Sequence, residues 1–144
     1  FEVNVHYFAK ILKSGNSYLV TFPDLHGCLT EGRSIAKALA NAHDALNGWL
    51  SASCDRTLSI PKVRKYSGKH FFAVEVDIQV EFAIQLRMLR KQKKISQAEI
   101  ARKLGITQQA YAKLEIPGKT NPSLSTIRKI SEAFDTAIIL RLAA

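Results

Sequence analysis

The chain has 144 residues, 47% of them apolar, with a formal net charge of +9. That length holds one compact domain or two small ones with real cores, and no stretch approaches the ~20 apolar residues of a membrane span. With no secretory signal pattern either, a cytoplasmic protein that makes no use of a membrane is expected. The only cysteines, Cys28 and Cys54, lack CxxC or CxxH spacing and are expected as reduced, small hydrophobes rather than as a disulfide or zinc pair. The charge is uneven: residues 1–80 carry nine Lys/Arg against seven Asp/Glu, and residues 81–144 twelve against five. The basic excess sits in the second part, the electrostatic footprint of a nucleic-acid-binding domain.

The first part has the grammar of a sheet. Val3, Val5, Tyr7, Ala9 and Ile11 alternate with mostly polar neighbours, the period of a half-buried strand. Lys13-Ser14-Gly15-Asn16 forms a hairpin turn, after which Tyr18, Val20 and Phe22 resume the alternation. Pro23 to Gly27 breaks that strand, and Cys28 to Thr30 supplies a short third. Ser34 caps a helix whose stripe is Ile35, Leu39, Ala42, Leu46 and Trp49, spaced to lie on a sheet. Ser51 to Lys69 is irregular. Phe72, Val74, Val76, Ile78 and Val80 predict a last strand, which completes a βββαβ order.

The second part opens with a helix over Glu81–Lys94, with Phe82, Leu86 and Leu89 inward and Arg87, Arg90, Lys91, Lys93 and Lys94 around the remainder. Residues 96–115, SQAEIARKLGITQQAYAKLE, then hold two short amphipathic helices meeting at a glycine. Ser96 caps the first, whose inner face is Ile100, Ala101 and Leu104, and Gly105 ends it in the left-handed conformation. Ile106 fills the corner and Thr107 caps the second helix, with Tyr111 and Leu114 inward and the Tyr111 hydroxyl at the edge of the core. Gln108, Gln109, Ala112 and Lys113 remain on a polar face without carboxylates, suited to a DNA major groove. After Ile116–Pro122 comes a helix from Leu124 to Phe134 with Leu124, Ile127, Ile130 and Phe134 inward. The apolar tail over about 136–142 reads as a strand; a lone strand is unstable, so pairing with a second copy in a homodimer or higher homo-oligomer is expected. The fold class is therefore α+β: a small sheet-plus-helix domain over 1–80, then an all-α helix-turn-helix domain over 81–144 with a C-terminal strand.

The run Tyr18–Gly32, YLVTFPDLHGCLTEG, the alanines Ala38, Ala42 and Ala45, and Ile60-Pro61 before the closing strand resemble the HicB family of antitoxins. The resemblance implies a truncated ribonuclease H-like domain, joined to a DNA-binding domain of ribbon-helix-helix or helix-turn-helix type. It implies as partner a small HicA-type toxin, an RNA-cleaving protein of double-stranded-RNA-binding fold, covered sterically by the first domain; the toxin-contacting residues are not given by it. The second part resembles the Xre/Cro-type helix-turn-helix class, which usually has glycine where Lys94 stands, an aliphatic residue where Tyr111 stands, and a loop one residue shorter after the second motif helix. Thr107-Gln108-Gln109 is similar to lambdoid phage repressors. That likeness implies base-reading by Gln108 and Gln109, since a glutamine amide matches adenine N6 and N7. Lys113 lies one turn on and can meet guanine or a phosphate. The same likeness implies backbone contacts from Gln97, Thr107, Lys119, Thr120 and Asn121 on operator DNA.

An enzymatic first domain is not expected, nor is a metal or other cofactor. Ribonuclease H chemistry gathers carboxylates around two metal ions, whereas Glu2, Asp24, Glu31, Asp44, Asp55, Glu75 and Asp77 are scattered. Asp24 is expected to bond locally in its turn, and Glu75 and Asp77 to face solvent. His6, His26, His43 and His70 are dispersed as well. Phe8, Leu12 and Phe71 lie on the nominally polar face of the sheet, the mark of an interface. The function that follows is an antitoxin that neutralises its toxin and autorepresses its operon; the alternatives are a ligand-sensing transcription regulator without a toxin partner, or a DNA-targeted nuclease.

Overall fold

The computed structural model describes residues 6–140. Among them the chain divides after Asp77 into two compact units.

In the first unit, β1 (His6–Ser14) and β2 (Ser17–Thr21) pair as an antiparallel hairpin with Ser14 opposite Ser17. The two-residue loop starts at Gly15, whose φ of 59° only glycine adopts freely and which matches the twist of the strands. β3 (Leu29–Gly32) and β4 (Phe71–Glu75) complete an antiparallel sheet of order β3-β2-β1-β4. The third strand thus begins one residue later than its pattern predicts and extends to Gly32. There the backbone passes so close to the start of the helix that a Cβ would sit 2.7 Å from Ala38 Cα.

That helix, α1 (Ile35–Asp55), starts where Ser34 Oγ accepts from Lys37 N at 3.1 Å. It outruns the expected end near Leu50 because Ser53 and Cys54 continue its buried stripe. The stripe itself is Ala38, Ala42, Leu46, Asn47, Leu50, Ser53 and Cys54. Ile35 stays exposed while Leu39 and Trp49 are half-buried, a rotation that brings the alanines against the strands. The partner surface is the sheet face of Tyr7, Ala9, Ile11, Val20 and Val74, all buried. Both cysteines are buried free thiols.

The acidic turn residue Asp24 does more than close its own loop. Its carboxylate accepts from the Tyr66 hydroxyl at 2.8 Å and from Arg64 N at 3.2 Å, some forty residues away in sequence. This correction to a purely local role accounts for the ordered path of the segment after α1. Tyr7 fastens the same segment by donating to Pro61 O at 2.6 Å; burial and then the nearby Asp24 charge push its phenol up to about 12.

The strand predicted to reach Val80 ends at Glu75, and Ile78 opens α2 (Ile78–Gln92). Two periods overlap in this stretch: Val74 and Val76 fit a strand, whereas buried Val80, Ala83, Ile84 and Arg87 repeat at helical spacing. Asn47 marks the exit. Its side-chain oxygen accepts from Asp77 N at 2.8 Å, and its amide donates to His43 O and Glu75 O at 2.9 and 3.3 Å. Asp77 is correspondingly no idle solvent-facing acid, since its carboxylate lies 2.8 Å from His43 Nε2.

The second unit packs α2 with α3 (Gln97–Leu104), α4 (Gln108–Leu114) and α5 (Leu124–Phe134). Leu86, Ile100, Ala101, Tyr111, Leu114, Ile130 and Phe134 form its core, with Phe82, Leu89, Ile95, Leu104, Ala133 and Ile138 packed around them. Arg87, expected outside, is buried, whereas Ile106 and Leu124, expected inside, are 40% and 72% exposed. Leu124 opens α5, and the inward stripe begins a turn later at Ile127. Residues 136–140 form no strand within the single chain. Ile138 packs on the core instead, and Ile139 and Leu140 stay exposed; the rest of the expected tail strand lies outside the described residues.

Candidate nucleic-acid interface

The two motif helices are set by their ends. At the start of α3, Glu99 N donates to Ser96 Oγ at 3.1 Å while Ser96 N donates to Glu99 Oε2 at 2.7 Å, a reciprocal capping box. The backbone hydrogen bond from Ser96 holds the Glu99 carboxyl below its ordinary range. The helix stops at Gly105, φ 70°, and Ile106 N closes onto Ala101 O at 3.0 Å. One residue later Thr107 Oγ1 accepts from Ala110 N at 3.1 Å and starts α4. So short a connection leaves α4 a single exit direction from the turn.

On α4, Gln108, Gln109 and Lys113 are exposed, Ala112 is half-buried, and Tyr111 and Leu114 are buried. The two glutamine side chains are therefore presented to solvent from the first turn of the helix. Thr107 is occupied as an acceptor by its capping role, which leaves its hydroxyl proton to donate. Lys119 and Asn121 are exposed and Thr120 half-buried in the loop that follows α4.

Gln97 is placed differently. It is half-buried, and its Nε2 donates to Glu115 Oε2 at 3.1 Å. Glu115, the residue that ends α4, is 4% exposed and takes Arg90 Nε at 2.6 Å and Nη2 at 3.1 Å in a bidentate pair. Arg90 Nη1 also donates to Ile95 O at 3.1 Å. The network joins α2, the start of α3 and the end of α4 at one point. The Tyr111 phenol lies in this same neighbourhood, wholly buried rather than at an edge. Burial, followed by the Glu115 charge, pushes its ionisation well above the ordinary tyrosine range.

Sequence reasoning placed Arg90 in a crowd of solvated cations and gave Glu115 no role. The available signal was a lone carboxylate ending an otherwise carboxylate-free helix face, beside an apolar turn. Burying it demands a cation with fixed fork geometry, and arginine supplies one.

Residues 7–104 match the family described as HicB-like antitoxin of bacterial toxin-antitoxin system. The chain belongs to the HicB-like antitoxins. The match runs through the sheet unit and on to the end of α3, and residues 86–139 match the helix-turn-helix family. Over 57 residues the chain is also 40% identical to YqaE, an HTH-type transcriptional regulator of Bacillus subtilis (strain 168). That alignment covers 40% of this chain and 48% of the relative, so the chain spans about half the length of the curated relative it matches.

Among the described residues no group of three or more His, Cys, Asp or Glu side chains is gathered as a metal site would require. Two acids of the sheet unit make structural contacts: Asp24 with Arg64 and Tyr66, and Asp77 with His43. No helix among the described residues is long and apolar enough to cross a membrane.

Proposed function

We propose that the protein is the antitoxin of a toxin–antitoxin pair, whose first unit neutralises a HicA-type RNA-cleaving toxin by direct binding and whose second unit represses the operon. Gln108 and Gln109 read bases in the major groove, with Lys113 beside them. Gln97, Thr107, Lys119, Thr120 and Asn121 hold the phosphate backbone. Gln97 does so from a side chain that gives one N–H to Glu115 and is steadied by it. The protein acts on operator DNA as a dimer, with two recognition helices about 34 Å apart, one DNA turn.

The observation that carries this reading is the exposed glutamine pair at the capped start of α4, within a unit belonging to a HicB-like chain. Alanine at Gln108 or Gln109 is expected to cost about 1–3 kcal/mol in operator affinity and to relax preference at the contacted base. Footprinting of the DNA upstream of the gene measures both; native footprints at native concentrations from both variants would remove the glutamines from the reading role. Affinity should also fall with salt, by about 0.9 in log–log slope per neutralised phosphate.

A further inference from the structure

The sheet of the first unit has α1 on one face only. Its other face follows from the register. One rung runs Leu29, Thr21, Lys10, Phe71 across all four strands, and the next runs Glu31, Leu19, Leu12. Phe8 stands opposite Ala73 on the far side of the first rung. A solvated antiparallel face alternates to polar residues, yet this one carries Leu12, Leu19 and Leu29 at 39%, 43% and 64% exposure. Its aromatic corner has a partial cover: Tyr66 stacks on Phe71 with centroids 5.1 Å apart and meets Phe8 edge-on at 6.4 Å. Tyr66 is held in that position through Asp24.

Lys10 is the feature that selects an occupant. It sits inside the first rung, between Thr21 and Phe71, half-buried, on a central strand. Among the described residues no carboxylate pairs with it; the ion pairs of this unit are His43 with Asp44 and Asp77, and Arg64 with Asp24. A lysine set among Phe8, Leu12 and Phe71 costs desolvation of its ammonium when the face is covered, unless the covering surface brings an opposite charge. Lys65 and Lys69 are exposed beside the aromatic corner, Arg64 is paired with Asp24, and the carboxylates Glu31 and Glu75 stand at the two ends of the face, so Lys10 is the cation at its centre.

We propose that this open face is the docking surface for the toxin, and that the toxin meets it with an apolar patch built around a carboxylate that pairs with Lys10. The proposal rests on the antitoxin reading and names the contact surface that reading lacks.

The test uses the full chain and the protein encoded by the adjoining reading frame, titrated by calorimetry. Lys10→Glu and, separately, Leu19→Asp are compared with Lys37→Glu on the exposed side of α1. Each variant's fold is checked by Trp49 fluorescence and operator binding. The expected result is native affinity for Lys37→Glu and a loss of about a hundredfold for each face variant. Reversal of one toxin carboxylate to lysine should restore binding to Lys10→Glu. If the wild-type chain does not bind the adjoining product, the antitoxin reading falls and the proposal with it. If it binds and both face variants, folded, bind within about twofold of wild type, the reading stands and this surface is wrong. A face variant that instead splits a self-associated wild-type chain in light scattering, with toxin affinity unchanged, assigns the face to a second copy and overturns the proposal.

Discussion

The two units solve the same problem with different materials. The sheet unit is held by layers: α1 lays alanines and leucines on Tyr7, Ala9, Ile11, Val20 and Val74, and the opposite face is left without a layer of its own. The helix-turn-helix unit is held at its corners, by side-chain caps at Ser96, Thr107 and Ser123 and by the Arg90–Glu115–Gln97 network. The difference bears on function. A unit whose recognition helix must meet a rigid duplex fixes that helix through short, directional bonds. A unit that meets a protein partner can leave part of its core to be completed on binding.

The sharpest way to break this comparison is Glu115→Ala. It leaves the half-buried Arg90 without its anion, and removing one partner of a buried pair costs up to about 3–5 kcal/mol. In a small helical unit that is a large share of total stability. The only tryptophan, Trp49, lies in α1, so its fluorescence follows the sheet unit, while far-UV circular dichroism follows the helices of both units, α1 included. The expected outcome is a dichroism curve split in two, with its larger step moved to much lower temperature and the step of α1 held in place with the Trp49 transition. Operator binding should be lost with toxin binding retained. Coincident movement of both transitions would show that the units unfold as one body, and the contrast drawn above would not hold.

A smaller effect of opposite sign is expected at Lys94. Its φ of 54° lies in the left-handed region, where a Cβ costs roughly 1–2 kcal/mol, partly offset by glycine's greater freedom when unfolded. Lys94→Gly should therefore stabilise the second unit by up to about 1 kcal/mol, read as a higher denaturant midpoint at unchanged slope. This position was legible in advance, because Lys94 stands where related helix-turn-helix proteins carry glycine. The caps, the turn at Gly105 and the glutamine face were legible for a similar reason: each depends on a few adjacent residues whose chemistry has one outcome. What escaped notice depends on residues far apart in the chain. Glu115 finds Arg90 across 25 positions and Asp24 finds Tyr66 across 42, and neither pairing leaves a periodic trace. The end of β4 was misplaced because Val76 and Val80 fit two periods, and only the Asn47–Asp77 bond decides between them.

The mildest test concerns that exit from the sheet. Burial lowers the ionisation of His43, but hydrogen bonds and charge from Asp77 and then Asp44 outweigh it, so its value is raised above the ordinary 6.5. A histidine raised on folding adds stability that is fully present below the unfolded value and is lost as pH climbs through the folded one. The ring's side chain is 41% exposed and that of Asp77 52%, so solvent screening restricts the gain to about a few tenths of a kcal/mol. His43→Gln should accordingly melt below wild type at acid pH, near pH ~5.5, and the gap should close at alkaline pH, near ~8.5. The Trp49 signal should carry the difference, since His43 shares α1 with it. A gap that stayed constant across this range would mean that the His43–Asp77 contact holds the end of the sheet as a neutral hydrogen bond, with Asn47 supplying the rest.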